Sequence, residues 1–420
     1  MKLKVYPTEF HGTVSLIGSK SLSHRTLIVA ACAEGLSILE GLMESDDIRA
    51  TTDALKALGA TVEGSRVEGP LNRAPQTIEA GASGSTLRMM IPQALRMNEP
   101  ITFTGKQRLP YRSLAAYEGV FAGSVRFEHP QETWLPLTVQ GPLHSGTYRL
   151  DPTASSQFVS GLLMALPLCE GDSRIEFTEP LVSKPYVMMT LSVLEAFGVT
   201  WTEEANGYSF KAPQKLTPRR YTVEGDFSQS LFFLAGGLLG GHLTLHNLPQ
   251  TSVQGDFEVI EWLNHAGGHI VYEQNGWKVR THALEALRVD LTDHPDTAPM
   301  LMALAGLTPG RHRFKGVSRL IDKESDRLAA LQETLASWGV PTQQENDTFW
   351  IEGKGSFTAL EPLKTYEDHR LAMSYLMCAP KACTPYIVEG VECIAKSYPN
   401  FLEVYRSIGG RFDVLEGDTV

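Results

Sequence analysis

The sequence feature that most restricts the fold of this chain is an internal repeat. Six segments with helical spacing of apolar residues each end at a glycine and lead into a strand-like run. A glycine in this place is typical of a helix end, because it adopts the left-handed conformation that stops a helix. The glycines recur at intervals of about 70 residues: Gly59, Gly123, Gly198, Gly268, Gly339 and Gly409. This spacing predicts six similar structural units.

A second helix is predicted in each unit, and it begins at a residue type that caps helices. Ser, Thr, Asp and Asn accept hydrogen bonds from the free N–H groups of a first helical turn. The six predicted starts are Ser19, Ser83, Ser155, Asp226, Asp296 and Asp368. Each unit then holds two helices of about 12–16 residues, with strands between them such as residues 38–39, 101–103 and 244–245. Helix pairs alternating with short strands predict an α/β protein.

At 420 residues the chain is longer than one hydrophobic core usually supports, so two lobes of three units each are predicted. The predicted lobes are residues 19–224, and residues 1–18 together with 225–420. Residues 3–6 read as a strand without a helix pair of its own, and we expect them to complete the second lobe. The chain would then cross between the lobes at hinges near residues 15–18 and 223–226. Six equal units could instead form one closed ring.

Composition and charge exclude several classes of function. The formal net charge of −11 argues against binding to nucleic acid or to an anionic membrane, which depends on clustered cations. A small anion can still bind, because a local group of cations can dominate the potential inside a cleft. The five cysteines show no CxxC or metal-ligand spacing, which is typical of reduced thiols in a cytoplasmic protein. The start lacks a signal-peptide pattern, and no apolar run approaches the length of about 18 residues that a membrane span needs.

The stretch GSKSLSHR, residues 18–25, combines hydroxyls and cations at a predicted helix start. The N–H groups of a first helical turn and the positive end of the helix dipole attract anions, and Lys20 and Arg25 add two positive charges. A phosphate-binding P-loop is excluded, because its lysine directly follows a glycine, whereas Ser19 precedes Lys20. By itself the stretch fits either a phosphate or carboxylate site, or a capped helix with solvated cations.

Several further helix starts carry the same residue types. They are Ser83-Gly84-Ser85 with Arg88, Tyr111-Arg112, Ser155-Ser156-Gln157, Ser183-Lys184-Pro185-Tyr186, Asp296, Lys323-Glu324-Ser325-Asp326-Arg327, Asp368-His369-Arg370 and Lys396. Each could be a cap with exposed ion pairs, which contribute little to stability. A cap does not need a cation, however, and the helix dipole disfavours one at an N-terminus. The recurrence predicts that external anions bind where the helix starts of both lobes converge on one cleft.

Two carboxylates are candidates for proton transfer. Asp296 opens an otherwise apolar helix, and Glu324 lies between Lys323 and Arg327. Neighbouring cations hold a carboxylate ionised, and an anionic ligand that neutralises those cations raises its basicity again. This behaviour suits a group that moves a proton once substrate is bound. Both residues could instead be structural helix caps.

The sequence resembles the 5-enolpyruvylshikimate-3-phosphate synthases, in the enolpyruvyl transferase family, over nearly its whole length. The motifs that carry the resemblance are GSKSLSHR, ASGSTLRMM, SSQFVSGLLMALP, SKPYVMMTL, RLIDKESDRLAAL and YEDHRLAM. The resemblance implies an inside-out α/β barrel fold of two lobes with three βαβαββ units each. It implies transfer of the enolpyruvyl (1-carboxyvinyl) group of phosphoenolpyruvate to the 5-hydroxyl of shikimate-3-phosphate, with release of phosphate, in chorismate and aromatic amino acid biosynthesis.

The resemblance also implies partners and residue roles. The partners would be two small anionic substrates, with no metal or organic cofactor, no nucleic acid, no membrane and a monomeric chain. The catalytic residues would be Asp296, Glu324 and Lys20. Asp296 would accept the proton of the 5-hydroxyl, Glu324 would protonate the methylene carbon and later remove a proton, and Lys20 would contact both substrates. Shikimate-3-phosphate would be bound by Lys20, Ser21, Arg25, Ser155, Ser156, Gln157, Ser183, Asp296 and Lys323. Phosphoenolpyruvate would be bound by Lys20, Gly84, Arg112, Gln157, Arg327, Arg370 and Lys396.

The sequence departs from the family pattern in a few places. Ala82 stands where asparagine is usual, and Ala395 stands where serine or threonine is usual. Arg319 replaces an asparagine through which some members bind substrate, so it receives no such role here. Two alternatives stay open. One is a UDP-N-acetylglucosamine enolpyruvyl transferase, although residues 104–112 lack the loop cysteine that is common in that family. The other is a six-repeat ring scaffold without catalysis.

Overall fold

The structure, a computed structural model, describes residues 1–415. Within them the chain forms two compact units. The first unit is Gly18–Val223, and the second unit combines Met1–Ile17 with the chain from Glu224 onward. Each is built from helices and four-stranded sheets. Among the described residues, no helix is long and apolar enough to cross a membrane.

The helices divide equally between the two units. In the first unit they are α1 Lys20–Cys32, α2 Asp46–Ala57, α3 Gly84–Ala94, α4 Ala115–Phe121, α5 Ser156–Ala165 and α6 Lys184–Ala196. In the second unit they are α7 Phe227–Leu239, α8 Val259–His265, α9 Ala298–Gly306, α10 Arg327–Ser337, α11 His369–Met377 and α12 Phe401–Ser407. Short 3₁₀ turns lie at Leu109–Tyr111, Leu166–Leu168, Gly255–Glu258, Val317–Leu320, Ala379–Lys381 and Val391–Lys396.

The strands are short and pair into six sheets, three in each unit. They are β1 Lys2–Tyr6, β2 Phe10–Ser15, β3 Gly35–Glu40, β4 Thr61–Glu63, β5 Arg66–Gly69, β6 Thr77–Glu79, β7 Ile101–Thr104, β8 Arg126–Glu128, β9 Leu137–Gln140, β10 Thr147–Leu150, β11 Ser173–Phe177 and β12 Thr202–Glu204. The chain continues with β13 Gly207–Phe210, β14 Arg220–Thr222, β15 Gly241–His246, β16 Ile270–Glu273, β17 Gly276–Arg280, β18 Arg288–Asp290, β19 Gly310–Lys315, β20 Thr342–Glu345, β21 Thr348–Gly353, β22 Leu363–Lys364, β23 Tyr386–Glu389 and β24 Arg411–Leu415.

The six sheets share one construction, in which a parallel pair of strands is extended by two antiparallel strands. In the sheet β10-β11-β13-β12, for example, β10 and β11 are parallel, and β13 is antiparallel to both of its neighbours. In this repeat the helix α5 connects the parallel strands and the helix α6 leads into the hairpin of β12 and β13, which gives the order βαβαββ. The predicted α/β class with six βαβαββ units is therefore confirmed.

Three of the sheets are completed by strands that are distant in sequence. β14 pairs in parallel with β3 at the opposite end of the first unit. In the second unit, β2 pairs in parallel with β15, and β1 lies between β23 and β24. These strands supply the missing members of the first, fourth and sixth repeats, so that no repeat is left with an incomplete sheet.

Helices that are apolar on every side form the interior of each unit. All residues of α7, α9 and α11 are buried, as are those of α1 from Leu22 to Cys32. A helix without a polar face is stable only where protein surrounds it. In the strands, buried and exposed residues alternate, as in β10, so each sheet covers the helices with one face. Each large apolar side chain buried in this way contributes about 1.5–3 kcal/mol.

The predicted capping residues are observed at five of the six helix starts. Ser19, Ser83, Ser155, Asp226 and Asp368 cap α1, α3, α5, α7 and α11, and each accepts a hydrogen bond from a backbone N–H of the first turn. The prediction is wrong at Asp296, because Thr297 is the N-cap of α9. The Asp296 carboxylate binds two arginines instead.

The predicted helix ends need two corrections. A glycine with positive φ follows the second helix of each repeat, but in the fourth repeat it is Gly267, with φ 87°, and not Gly268. In addition, of the helices in the described residues, α1, α2, α6 and α7 reach the predicted 12–16 residues and the others are shorter. The shortest are α4, α8 and α12, with 7 residues each. A separate 3₁₀ turn precedes each of them and takes up residues that the periodicity assigns to the helix.

The five cysteines are free thiols. Cys32, Cys169 and Cys378 are buried and Cys393 is partly buried, whereas Cys383 is exposed. Burial raises the pKa of Cys32, Cys169, Cys378 and Cys393. Because the thiolate is the reactive form of cysteine, these four side chains are poor nucleophiles.

Candidate active site

The start of α1 is fixed by an ion pair. Lys20, the first residue of α1, lies 3.1 Å from the carboxylate of Asp47 at the start of α2, and both side chains are largely buried. The carbonyl of Asp47 also accepts a hydrogen bond from Thr86 on α3. The first turn of α1 contains no acidic residue. The ion pair joins the start of α1 to α2, and the hydrogen bond from Thr86 joins α2 to α3. Lys20 and the adjacent Ser21 are thus held at a fixed helix N-terminus.

Arg25 is buried in the first unit, and only neutral groups accept its hydrogen bonds. Its guanidinium donates at 2.7–3.1 Å to the hydroxyls of Thr190 and Ser160 and to the carbonyls of Ser21 and Tyr186. Burial lowers the pKa of Arg25 to about 10, so the group is still charged at neutral pH. Arg25 is only 2% exposed. It therefore ties α1 to α5 and α6, and it contributes a positive charge that these acceptors do not neutralise.

A second group of cations surrounds the start of α3. A Cβ on Gly84, the first residue of this helix, would lie 2.7 Å from Nη1 of Arg112 and 3.6 Å from Nη1 of Arg88. Arg88 donates to Oε1 of Gln157 at 3.0 Å, and Nε2 of Gln157 donates to the hydroxyl of Ser85 at 2.9 Å. These five residues form one cluster, in which two guanidinium groups stand beside a helix N-terminus. The arrangement fits an anionic oxygen.

The other predicted residues of the first unit lie at the starts of α5 and α6. Ser155 caps α5, and the buried Ser156 is its first residue. Ser183 precedes α6 with a left-handed backbone, φ 54°. The carbonyl of Tyr186, on α6, accepts a hydrogen bond from Arg25. The starts of α1 and α6 are thereby joined through one arginine.

The second unit gathers carboxylates around one arginine. Arg327, the fully buried first residue of α10, donates to Asp368 at 2.7 Å, to Asp296 at 2.9 Å and to Glu324 at 2.8 Å. Arg370 donates to the other oxygen of the Asp296 carboxylate at 3.0 Å and to its carbonyl at 3.1 Å. Asp296 is therefore held between two guanidinium groups, and Glu324 lies on one of the two.

The charges of this network set its proton affinities. Burial alone would raise the pKa of Asp296, but Arg370, Arg327 and Lys323 outweigh it and hold the pKa well below its usual range. Burial lowers the pKa of Lys323 to about 8 despite the nearby Asp296. Burial also opposes the charge of Arg327, but the adjacent carboxylates, Asp368 first, raise its pKa above the ordinary value. Asp296 is thus ionised at neutral pH, whereas the pKa of Lys323, about 8, lies close to neutral pH.

Two of the predicted helix starts are wrong, although their residues are in the predicted units. Tyr111 ends a 3₁₀ turn and Arg112 follows it, and Lys396 is the last residue of another such turn. Arg112 still joins the cluster around Gly84. Lys396 is partly buried near Cys393. Loops, and not helix dipoles, therefore place these two cations.

Sequence reasoning missed two of the residues that hold the predicted ones in place, and it identified a third, Asp368, only as a helix cap. Asp47 pairs with Lys20, the hydroxyl of Ser228 accepts a hydrogen bond from Arg370 at 2.7 Å, and Asp368 accepts hydrogen bonds from Ser325 and Arg327. Asp47 and Ser228 each lie two positions after the residue that caps their helix, Ser45 for α2 and Asp226 for α7. Which side chain of a first turn faces a cation depends on how the helix is rotated in the core, and periodicity alone does not give that rotation.

The geometry supports anion binding in the first unit and proton transfer in the second. The first unit offers helix N-termini with Lys20, Arg25, Arg88 and Arg112. The second unit offers the carboxylates of Asp296 and Glu324 on Arg327, and neighbouring cations hold the pKa of Asp296 low. Among the described residues, no group of three or more His, Cys, Asp or Glu side chains could hold a metal ion.

Comparisons with known proteins point to one family. The family model described as EPSP synthase (3-phosphoshikimate 1-carboxyvinyltransferase) matches residues 6–405. A relative named 3-phosphoshikimate 1-carboxyvinyltransferase from Clostridium kluyveri is 37% identical over 98% of this chain and 98% of its own length. One of the same name from Clostridioides difficile is 35% identical, again over 98% of both chains.

Solved structures agree in fold. A structure described as EPSP synthase from Acinetobacter baumannii matches with a TM-score of 0.81 at 24% sequence identity, over 99% of this chain and 100% of the other. At 24% identity the structural similarity shows the fold alone, and it covers 99% of this chain. Since the family model and the relatives cover the motifs that form both clusters, the chain belongs to the EPSP synthase (3-phosphoshikimate 1-carboxyvinyltransferase) family.

Proposed function

We propose that this chain transfers the 1-carboxyvinyl group of phosphoenolpyruvate to the 5-hydroxyl of shikimate-3-phosphate and releases inorganic phosphate, in the pathway to chorismate and the aromatic amino acids. Family membership supports the reaction type. The observation that carries the proposal is the network in which Asp296 and Glu324 share the buried guanidinium of Arg327. An addition followed by an elimination needs a base and an acid held together, and this network provides two carboxylates for those roles.

Substrate recognition is assigned to the cations and helix starts described above. Shikimate-3-phosphate is bound by Lys20, Ser21, Arg25, Ser155, Ser156, Gln157, Ser183, Asp296 and Lys323. Phosphoenolpyruvate is bound by Lys20, Gly84, Arg112, Gln157, Arg327, Arg370 and Lys396. The uncompensated charge of Arg25 and the two guanidinium groups beside Gly84 support these assignments, because phosphates and carboxylates gain most from charged donors and helix N-termini.

The addition step needs one proton removed and one supplied. Asp296 takes the proton of the 5-hydroxyl while that oxygen bonds to C2 of phosphoenolpyruvate, and Glu324 gives a proton to the methylene carbon, which becomes a methyl group. In the elimination step, Glu324 takes a proton back from this methyl group and the C2–O bond to phosphate breaks. Phosphate leaves with the bonding electron pair, and the proton held by Asp296 leaves with it.

The electrostatics of the second unit support the timing of these steps. In the free chain the cations hold the pKa of Asp296 so low that it is a weak base. Anionic substrate groups that bind Arg370, Arg327 and Lys323 reduce this effect and raise the pKa of the carboxylate. The same cations then stabilise the charge that develops on the departing phosphate. Substrate binding thus activates the base.

Phosphate release tests the proposal. The purified chain is incubated with phosphoenolpyruvate and either shikimate-3-phosphate or UDP-N-acetylglucosamine, and phosphate is measured. We expect release with shikimate-3-phosphate alone. Release with the nucleotide sugar alone would establish the alternative transferase, and release with neither acceptor would leave the six-repeat scaffold. A monomeric state and a cytoplasmic location stay predictions, which sedimentation and cell fractionation test.

A further inference from the structure

A buried histidine lies two residues before Asp296 and has no part in the proposed reaction. His294 is 4% exposed. Its Nδ1 lies 3.5 Å from Oδ1 of the buried Asp256, and its Nε2 lies 3.5 Å from Oε2 of Glu258, whose side chain is 51% exposed. A ring that faces a carboxylate at each nitrogen is best satisfied as the imidazolium, because both nitrogens then carry a proton to donate.

The remaining surroundings of His294 also favour the charged ring. Trp262 on α8 packs edge-on at 4.9 Å and carries no charge. Asp293 and Asp290, one and four residues before the histidine, add negative charge. Burial alone would lower the pKa of His294, but the carboxylates that face it, Asp256 first, outweigh burial and raise the pKa. His294 therefore changes charge at a higher pH than an ordinary histidine.

Backbone hydrogen bonds hold His294 in the turn that contains Asp296. The carbonyl of His294 accepts from the N–H of Thr297 at 3.1 Å and from its hydroxyl at 2.8 Å. The N–H of His294 donates to the carbonyl of Leu291 at 3.1 Å. Residues 291–297 thus form a tight turn that is anchored by His294 at one point and by the contact of Arg370 with Asp296 at another.

We propose that His294 is a positioning residue for Asp296: its charged ring, held between Asp256 and Glu258, fixes the turn that presents the Asp296 carboxylate. This inference rests on the proposed function, in which Asp296 is the base. While the ring is protonated, the nitrogen that faces Asp256 and the nitrogen that faces Glu258 both carry a proton. As the pH rises through the pKa of His294, one ring nitrogen loses its proton, one carboxylate loses its donor, and the turn loosens. Turnover then falls on the alkaline side of the pH profile.

The variant Glu258→Gln distinguishes the effect of His294 from that of Lys323. The pKa of Lys323, about 8, affects the same alkaline side of the pH profile of kcat. Glutamine keeps the size of the side chain and removes its charge. We expect the alkaline limb of kcat to move to lower pH by about 0.5–1 unit, and the pKa of His294 measured by NMR to fall by the same amount. The matched control is Glu261→Gln on α8. This exposed carboxylate lies 3.9 Å from His265, and its loss should move neither quantity.

The variant His294→Gln tests positioning itself. We expect kcat to fall about tenfold, because a small displacement of a catalytic group has effects of this size, while the KM of each substrate stays within about twofold. The remaining activity should no longer respond to Glu258→Gln. A merely structural histidine would lower the melting temperature but leave the pH profile unchanged, and that result overturns the inference.

The two proposals fail in different ways. Phosphate release by the wild-type chain, with an alkaline limb that does not follow the NMR pKa of His294 in Glu258→Gln, overturns only the positioning role. A folded wild-type chain that releases no phosphate overturns the proposed function and the positioning role with it. If His294→Gln does not fold, the Glu258→Gln result still tests the positioning role. The side chain of Glu258 is half-exposed, so its substitution should leave the fold intact.

Discussion

Two buried arginines, one in each unit, have opposite surroundings. Arg25 in the first unit is 2% exposed and donates to two hydroxyls and two carbonyls. Arg327 in the second unit is 0% exposed and donates to three carboxylates. The pKa moves accordingly: burial lowers it to about 10 for Arg25, whereas neighbouring carboxylates overcome burial and raise it for Arg327.

This difference separates two uses of the same side chain. Neutral acceptors hold Arg25 in place without cancelling its charge, so the first unit presents positive potential to an anion. Carboxylates cancel the charge of Arg327, so its guanidinium serves to place Asp296 and Glu324 and helps to keep Asp296 ionised. The cations of the first unit are therefore suited to binding, whereas the second unit combines binding cations with carboxylates suited to proton transfer. Each of the following variants tests one side of that comparison.

The largest expected effect is that of Glu324→Gln. Glutamine can still accept a hydrogen bond from Arg327, but it cannot donate and recover a proton as the carboxyl group does. We expect turnover to fall about 10²–10⁴-fold, the usual contribution of general acid–base catalysis, with both substrates still bound. Steady-state kinetics and calorimetric titration measure the two quantities. Asp296→Asn should behave similarly.

The matched control for Glu324→Gln is Asp322→Asn, a charge change of the same size at an exposed residue of the same loop. It should leave turnover unchanged. Near-normal turnover of Glu324→Gln would contradict the acid–base role. Loss of substrate binding in Glu324→Gln would show instead that the carboxylate acts through the placement of Arg327.

Substitution of either arginine by methionine is expected to give the next largest effect, a decrease in the free energy of unfolding. Arg327→Met leaves three carboxylates without their shared counterion and should lower the free energy of unfolding by about 3–5 kcal/mol. Arg25→Met leaves only neutral acceptors and should cost about 1–3 kcal/mol. Denaturant unfolding at pH 7, followed by a spectroscopic probe in each unit, compares them.

Their pH dependence sharpens the contrast. Without the guanidinium, the clustered carboxylates repel one another and take up protons at a higher pH than in the wild-type chain, although Arg370 still pairs with Asp296. The resulting loss of stability is present at pH 7 and is relieved as the pH falls through the raised pKa values, because the carboxyl groups take up protons. The deficit of Arg327→Met relative to wild type should therefore shrink from pH 7 to pH 5, while that of Arg25→Met stays constant. Equal behaviour of the two variants would contradict the comparison.

What the sequence reveals about this molecule is mostly local. Caps such as Ser19 and Asp368 are predictable, because a cap bonds to the N–H groups of its own helix. The pairing of β14 with β3 is not, because it joins the two ends of the first unit. In the same way, the sequence places Arg327 at a helix start but does not reveal that Asp368 accepts its hydrogen bond. The roles of the individual site residues stay predictions until such variants are measured.

A smaller effect is expected from Gly84→Ala in the first unit. The added methyl group would lie 2.7 Å from Nη1 of Arg112, and the flexible end of that side chain would have to move. We expect the KM of phosphoenolpyruvate to rise about tenfold, which corresponds to the weakening of one charge-assisted hydrogen bond, with little change for shikimate-3-phosphate. Gly119→Ala on α4, where a Cβ meets nothing within 4 Å, is the control. An equal rise for both substrates would mean that the whole site is disturbed.

The smallest effect concerns backbone strain that both units carry beside their helix starts. Ser183, with φ 54°, precedes α6, and Glu367, with φ 58°, precedes Asp368, the cap of α11. A side chain in this left-handed conformation costs about 1–2 kcal/mol, and glycine removes that cost but loses about 0.5–1 kcal/mol of chain entropy. Glu367→Gly and Ser183→Gly should each raise the free energy of unfolding by about 0.5–1 kcal/mol.

The two glycine variants should differ in function. Glu367 is exposed, and the turn that ends at Asp368 is closed by a backbone hydrogen bond from its N–H to the carbonyl of Thr365 at 2.9 Å, so Glu367→Gly keeps that contact and should keep normal kinetics. Ser183→Gly loses the hydroxyl assigned to shikimate-3-phosphate, and the KM of that substrate should rise while kcat changes little. Thermal unfolding of both variants measures the gain in stability, and steady-state kinetics measure the KM of shikimate-3-phosphate and kcat. A destabilised Glu367→Gly would show that the turn is not strained, and an unchanged KM in Ser183→Gly would remove that residue from the binding surface of the first unit.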